Sequence, residues 1–185
     1  MTALFRTRRG LVAFVLVFAM LTSLGGGLPA AAAPNEAPSR APQSNDLRIS
    51  QLYGGGGNTG ATYTHDFIEI FNAGASTISL AGYSVQYSSA TGTGAWQVTN
   101  LSGSIASGQY YLIQQAQGAG GSTPLPTPDA IGAIAMAGGG GKAALVSSTT
   151  ALAGACPTGA QIIDLVGFAS NANCFEGSGP ASRPL

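Results

Sequence analysis

Charge is scarce in this chain: 8% of its 185 residues are charged, and histidine occurs once. Between residues 47 and 177 the only cations are Arg48 and Lys142. They stand against Asp66, Glu69, Asp129, Asp164 and Glu176, a net of −3. Duplex binding needs several Lys or Arg to replace condensed counterions. Direct nucleic-acid binding is therefore disfavoured, and so is capture by an anionic membrane. A Ser–His–Asp arrangement would have to recruit His65, and no Gly-x-Ser-x-Gly elbow is present. Zinc asks for three or four ligands, which two cysteines and one histidine at this spacing do not supply. The composition points to no catalytic residue, no metal and no cofactor.

Long apolar runs are also missing, except at the start. Arg6, Arg8 and Arg9 precede an apolar run over 11–24, followed by a glycine break and the small residues Ala30 to Ala33. That order is a secretory signal peptide, with the cut placed after Ala32. At about 14 residues the run is shorter than the ~20 that span a bilayer, and no second one follows. Residues 1–32 are thus expected to direct secretion, leaving a mature chain without a membrane span. Residues 33–46 are Pro, Ala, Ser, Asn and Gln with little to bury, and read as a flexible linker. The remaining ~130 residues are enough for one domain with a core. In an exported chain the two cysteines, Cys156 and Cys174, are read as a disulfide, with a reduced pair as the alternative. Closing that loop of ~19 residues stabilises by about 3 kcal/mol in the chain-entropy model.

Helical periodicity is nearly absent from the body. Short runs rich in Val, Ile, Tyr and Phe fall at 47–53, 66–72, 82–88, 96–101, 110–115, 131–136, 143–147 and 162–168, separated by Gly, Ser, Asn or Pro. Tyr83, Val85 and Tyr87 alternate with Ser84 and Gln86, the pattern of a half-buried strand. The denser run at 162–168 suits a strand covered on both faces. Much of the chain's 28 glycines sit between these runs without a fixed period. The expected architecture is an all-β antiparallel sandwich, with a closed barrel as the runner-up.

Few residues invite a chemical role. Asp66 and Glu69 point to opposite faces of an extended strand. His65 and Glu69 share a face but lie about 13 Å apart along it, so all three read as strand-edge and solvent-face polar groups. The glycines at 54–57 precede no helix that would complete a phosphate cradle. The run 138–142 resembles a P-loop only superficially, because Ala143 stands where Ser or Thr is needed. Both read as loops between strands. Tyr53, Tyr63, Tyr83, Tyr87, Trp96, Tyr110 and Tyr111 are candidates for a stacking platform. Most have inward spacing, and Trp96 is expected in the core. Tyr110 and Tyr111, as neighbours, must face opposite ways, so one is accessible; Tyr63, Tyr110 and Tyr111 are the candidate surface-binding residues.

Three motifs in order carry a family resemblance. They are Ile49-Ser50-Gln51-Leu52-Tyr53-Gly54-Gly55-Gly56-Gly57-Asn58, then Asp66-Phe67-Ile68-Glu69-Ile70-Phe71-Asn72, then Leu80-Ala81-Gly82-Tyr83-Ser84-Val85-Gln86-Tyr87. Trp96-Gln97-Val98, Gly108-Gln109-Tyr110-Tyr111-Leu112, Ala155-Cys156-Pro157-Thr158-Gly159 and Asn173-Cys174-Phe175-Glu176-Gly177 continue it. The segment 47–177 resembles the bacterial lamin tail domain. The resemblance implies an immunoglobulin-like β-sandwich used for binding or tethering, of the kind that precedes the catalytic domain in extracellular endonuclease/exonuclease/phosphatase-type nucleases. It carries over no catalytic residue. It implies an unidentified extracellular or cell-envelope ligand, with a truncated secreted nuclease as the alternative reading. Because such domains run on to a further strand, residues 178–185 are expected to be a disordered tail. The sandwich would then lack its last strand, and the bare edge would be open to self-association.

Overall fold

The computed structural model describes residues 39–40 and 46–183, all within one compact unit, Asn35–Leu185. The expected signal peptide and most of the expected linker lie outside the described residues. Twelve strands follow one another without a helix among the described residues: β1 (Ser39–Arg40), β2 (Leu47–Tyr53), β3 (His65–Asn72), β4 (Ile78–Ser79), β5 (Ser84–Ser89), β6 (Gln97–Asn100), β7 (Ser104–Ile105), β8 (Tyr110–Gln117), β9 (Ala130–Ile131), β10 (Gly141–Val146), β11 (Ile162–Phe168) and β12 (Phe175–Glu176).

Two four-stranded sheets face each other. The first has the order β2-β3-β8-β9 and the second β11-β10-β5-β6. Pairing is antiparallel throughout, except that β9 joins β8 in parallel. Period-two alternation sends Ile68 and Ile70 of β3, Tyr111 and Ile113 of β8, Val85 and Tyr87 of β5, and Ala143 and Leu145 of β10 into the space between the sheets. Short β4 and β7 pair beside this core and contribute Ile105 and part of Ile78.

The second sheet is buried on its outer face as well. Ala144, Val146, Ile162 and Leu165 meet Trp96, Leu152 and Cys174 there in a second apolar cluster. This accounts for the dense 162–168 run: Ile162 and Leu165 serve the outer cluster while Phe168 serves the inner core. It also corrects the half-buried reading of β5. Ser84 and Gln86 point outward but are fully buried under the segment after β10. They are satisfied by its backbone: Ser84 Oγ donates to Ser148 O (2.6 Å), Gln86 Nε2 to Thr150 O (2.9 Å), and Leu152 N donates to Gln86 Oε1 (2.7 Å).

Four further expectations change. Of the predicted 131–136 strand only Ile131 pairs as a strand, as the second residue of β9. Beyond it backbone and buried side chains share the bonding: Ala116 N donates to Ile134 O (3.1 Å) and Gly55 N to Met136 O (3.0 Å), while Ile134 N donates to Gln115 Oε1 (3.0 Å) and Met136 N to Asp66 Oδ2 (2.7 Å). The 138–142 stretch is not all loop, because Gly141 and Lys142 belong to β10. Within the predicted linker, Ser39–Arg40 pair in parallel with Phe175–Glu176. The tail is not free either: Ala181 N donates to Gly167 O (2.7 Å) and Ala181 O accepts from Ala169 N (2.9 Å), covering part of the β11 edge.

Candidate functional site

The sandwich has two outer faces, and they are treated differently. That of the second sheet lies beneath residues 148–156 and the disulfide between Cys156 and Cys174, whose Cα atoms are 5.1 Å apart, within the range a disulfide requires. That of the first sheet carries no covering segment over its centre. The two exposed large hydrophobic residues among the described residues, Tyr110 (58% exposed) and Ile131 (73%), both belong to this sheet.

Strand register builds this open face in rows. Arg48, Phe71 and Tyr110 are cross-strand neighbours on β2, β3 and β8. The Phe71 and Tyr110 rings lie 4.7 Å apart, with the Arg48 guanidinium 5.6 Å above Phe71. The next row is Gln51, Glu69 and Leu112, with Glu69 Oε1 accepting from Ser50 Oγ (2.7 Å). The third is Tyr53, Phe67, Gln114 and Ile131, of which Tyr53 and Phe67 are buried. Tyr53 stacks on Phe67 at 5.5 Å, and Tyr63 meets both rings edge-on at 5.3 and 5.8 Å. One cation and one acid on an aromatic and amide surface suit contact with an extended, weakly charged ligand.

Of the three tyrosines expected at the surface, Tyr110 is there. Tyr63 is half-buried, with its ring committed to Tyr53 and Phe67. Tyr111 is a correction: it is 5% exposed and lies in the core, its hydroxyl donating to Ser102 O (2.9 Å). The inner face of β8 needs a large side chain opposite Ile70, and burial raises the Tyr111 phenol above its ordinary value. Trp96 is buried as expected, with Nε1 donating to Gly154 O (3.1 Å).

The polar trio at the start of β3 does not converge. His65 Nδ1 contacts Thr64 Oγ1 at 2.9 Å, and Glu69 faces the open surface with Ser50. Asp66 is the second correction: it is buried rather than solvent-facing. Its carboxylate accepts from Gly56 N (2.6 Å) and Met136 N (2.7 Å), tying the glycine loop to the segment after β9. Burial pushes its pKa up, against the lowering effect of those two amides. Gly55 and Gly57 have φ of 82° and 70°, which lets the loop turn tightly enough to aim the Gly56 N–H at Asp66. Among the described residues no cluster of three or more His, Cys, Asp or Glu stands where it could hold a metal ion.

Sequence reasoning missed Lys142. It is fully buried on the covered face of the second sheet, and Nζ donates to Gly92 O (2.9 Å), Ala155 O (2.7 Å) and Asn173 Oδ1 (2.8 Å). The signal was available: a lone lysine two residues before the apolar Ala144–Leu145–Val146 run, in register with the outward Ser84 and Gln86 alternation.

A family model, Lamin Tail Domain, matches residues 40–168. The chain belongs to the lamin tail domain family. Its all-β, immunoglobulin-like sandwich is the fold of that family, a non-catalytic one. This lamin tail domain also aligns with the crystal structure of a DUF4876 family protein from Bacteroides thetaiotaomicron, at 15% identity and a TM-score of 0.44. The alignment covers 69% of this chain and 56% of that one, so the chain spans little more than half of that protein's length. Curated proteins yield no match. No helix of the described residues is long and apolar enough to cross a membrane.

Proposed function

We propose that this lamin tail domain is a non-catalytic extracellular binding module that retains a cell-envelope or extracellular polymer on the open face of its first sheet. One observation carries the reading: both exposed large apolar side chains, Tyr110 and Ile131, lie on the uncovered sheet, while the opposite outer face is closed by a disulfide-tied segment. Isolated surface apolar groups are ordinary, but two on one open face beside Phe71, Leu112 and an arginine form an interaction surface. Arg48 and Glu69 offset each other there, which favours a ligand of low charge over nucleic acid. A disulfide suits an oxidising compartment, consistent with secretion after cleavage near Ala32. The nuclease association implied by the motif order fits the same reading, with the module tethering a separate catalytic domain.

The test is retention of the mature chain on purified peptidoglycan, envelope, neutral polysaccharide and DNA. A double variant, Tyr110→Ala with Ile131→Ser, is expected to lose retention about tenfold or more while unfolding within about 0.5 kcal/mol of the parent, as surface changes do. Unaltered retention by the variant overturns the assignment of the face. Turnover of any substrate by the purified chain overturns the non-catalytic reading.

A further inference from the structure

The Lys142 ammonium contacts the immediate neighbours of both cysteines. Ala155, whose carbonyl it bonds at 2.7 Å, precedes Cys156; Asn173, whose side-chain carbonyl it bonds at 2.8 Å, precedes Cys174. Its third bond, to Gly92 O, and its place 5.4 Å from the Trp96 ring centroid tie it to the hairpin between β5 and β6. The same two flanks are held to that hairpin by bonds that do not pass through sulfur. Trp96 N donates to Leu152 O (2.8 Å), Gly154 N to Gly94 O (3.1 Å), Trp96 Nε1 to Gly154 O (3.1 Å) and Asn173 N to Ala90 O (2.9 Å).

We infer that Lys142 is a positioning residue for the Cys156–Cys174 bond, clamping the two flanks together in the dithiol form so that oxidation closes a site already assembled. An ammonium carries three donors, and each is used here on a different segment. The burial that desolvates it is offset only while all three segments are present, so the lysine makes their assembly cooperative. Oxidation itself needs an acceptor of the small-molecule disulfide class. One cysteine thiolate attacks that disulfide and releases one thiol; the second cysteine then attacks the mixed disulfide and releases the other. Two protein thiols thus lose two protons and two electrons, and one external disulfide becomes two thiols. Lys142 exchanges no proton in these steps; it raises the concentration at which each thiol meets the other.

The experiment equilibrates the chain with glutathione and its disulfide and reads the effective concentration of the two thiols. Near-ultraviolet dichroism of buried Trp96 reports folding of the reduced form. The variants are Lys142→Met and Asn173→Ala, with Asn72→Ala as a control. Asn72 is buried at the end of β3 in the first sheet, donating to Ser76 O and Ile105 O, and its loss destabilises without touching the clamp. Reduced parent is expected to stay folded. Lys142→Met and Asn173→Ala should each lower the effective concentration about tenfold or more, as losing a charge-assisted hydrogen bond implies, while Asn72→Ala leaves it within about threefold. If reduced Lys142→Met does not fold, Asn173→Ala carries the comparison. An unfolded reduced parent, parental values in Asn173→Ala, or an equal drop in Asn72→Ala overturns the inference.

Discussion

At the scale of single residues, a cation and an acid shape this molecule from inside. Among the described residues Lys142 has no acidic partner; burial holds its pKa below the usual lysine value, and three carbonyl oxygens keep it in place. Replacing it with Met relieves that burial but leaves those acceptors without a donor, an expected loss of about 2 kcal/mol in urea unfolding at neutral pH. The pH dependence has a definite sign. In the interval between its folded value and 10.5, the unfolded chain binds more protons at this site than the native chain does. Stability supplied through Lys142 therefore rises with pH across that interval and is flat below it. Tyr87 and Tyr111, whose burial raises them above 10.0, act in the opposite sense at the alkaline end. The gap in unfolding free energy between parent and Lys142→Met isolates the lysine. It should widen as pH climbs toward 10.5, and a constant gap refutes the argument. Asp66 gives a second test. In Asp66→Asn one carboxylate oxygen becomes an NH2 group facing an N–H, so the link between Gly56 and Met136 is cut on one side. A loss of about 2 kcal/mol is expected, with faster amide exchange at Gly56 or Met136.

The segment between β10 and β11 is an element without regular structure, yet it behaves as a third layer. Ser84 and Gln86 clasp its first half, and Lys142, Trp96 and the disulfide hold its second. Reduction should therefore loosen it rather than release it. Hydrogen exchange on the reduced chain is expected to quicken at 153–160 while β10 and β5 stay protected, because their ladder bonds do not depend on the bridge. Uniform loss of protection across both strands would show that the disulfide holds the whole sheet. Strand positions were readable from alternation at β2, β3, β5 and β8, where apolar residues recur at every second place, and from the dense apolar run at β11. The 131–136 stretch is also apolar, but the N–H groups of Ile134 and Met136 go to the side chains of Gln115 and Asp66 while its carbonyls bond backbone. No local pattern announces a ladder completed by side chains.

For the molecule as a whole, the consequential features are two sheet edges, β2 and β11, that meet along one side of the sandwich. Asp164 of β11 caps the first by accepting from Ile49 N (2.6 Å), and Ala181 covers part of the second. Removing residues 179–185 frees the Gly167 carbonyl and the Ala169 amide at the β11 edge. Sedimentation over a wide range of concentration is then expected to show association in the truncated chain and less in the full one, the behaviour of a bare strand edge. Equal behaviour of the two chains would mean that this contact guards nothing.

The sequence alone determined the class of molecule. Alternating apolar residues, glycine-rich connections and motifs in family order specify an all-β lamin tail domain, and the shortage of ionisable groups points away from chemistry. These are local or compositional properties, fixed before any packing. Which face is open and which covered was settled only by the tertiary structure. That decision rests on residues distant in the chain, with Lys142 reaching Gly92, Ala155 and Asn173 and Gln86 reaching Leu152. For the same reason Tyr110 became a surface residue and Tyr111 a core one: alternation requires that adjacent side chains diverge, but only the second sheet, closing over β8, determines which of them goes inside.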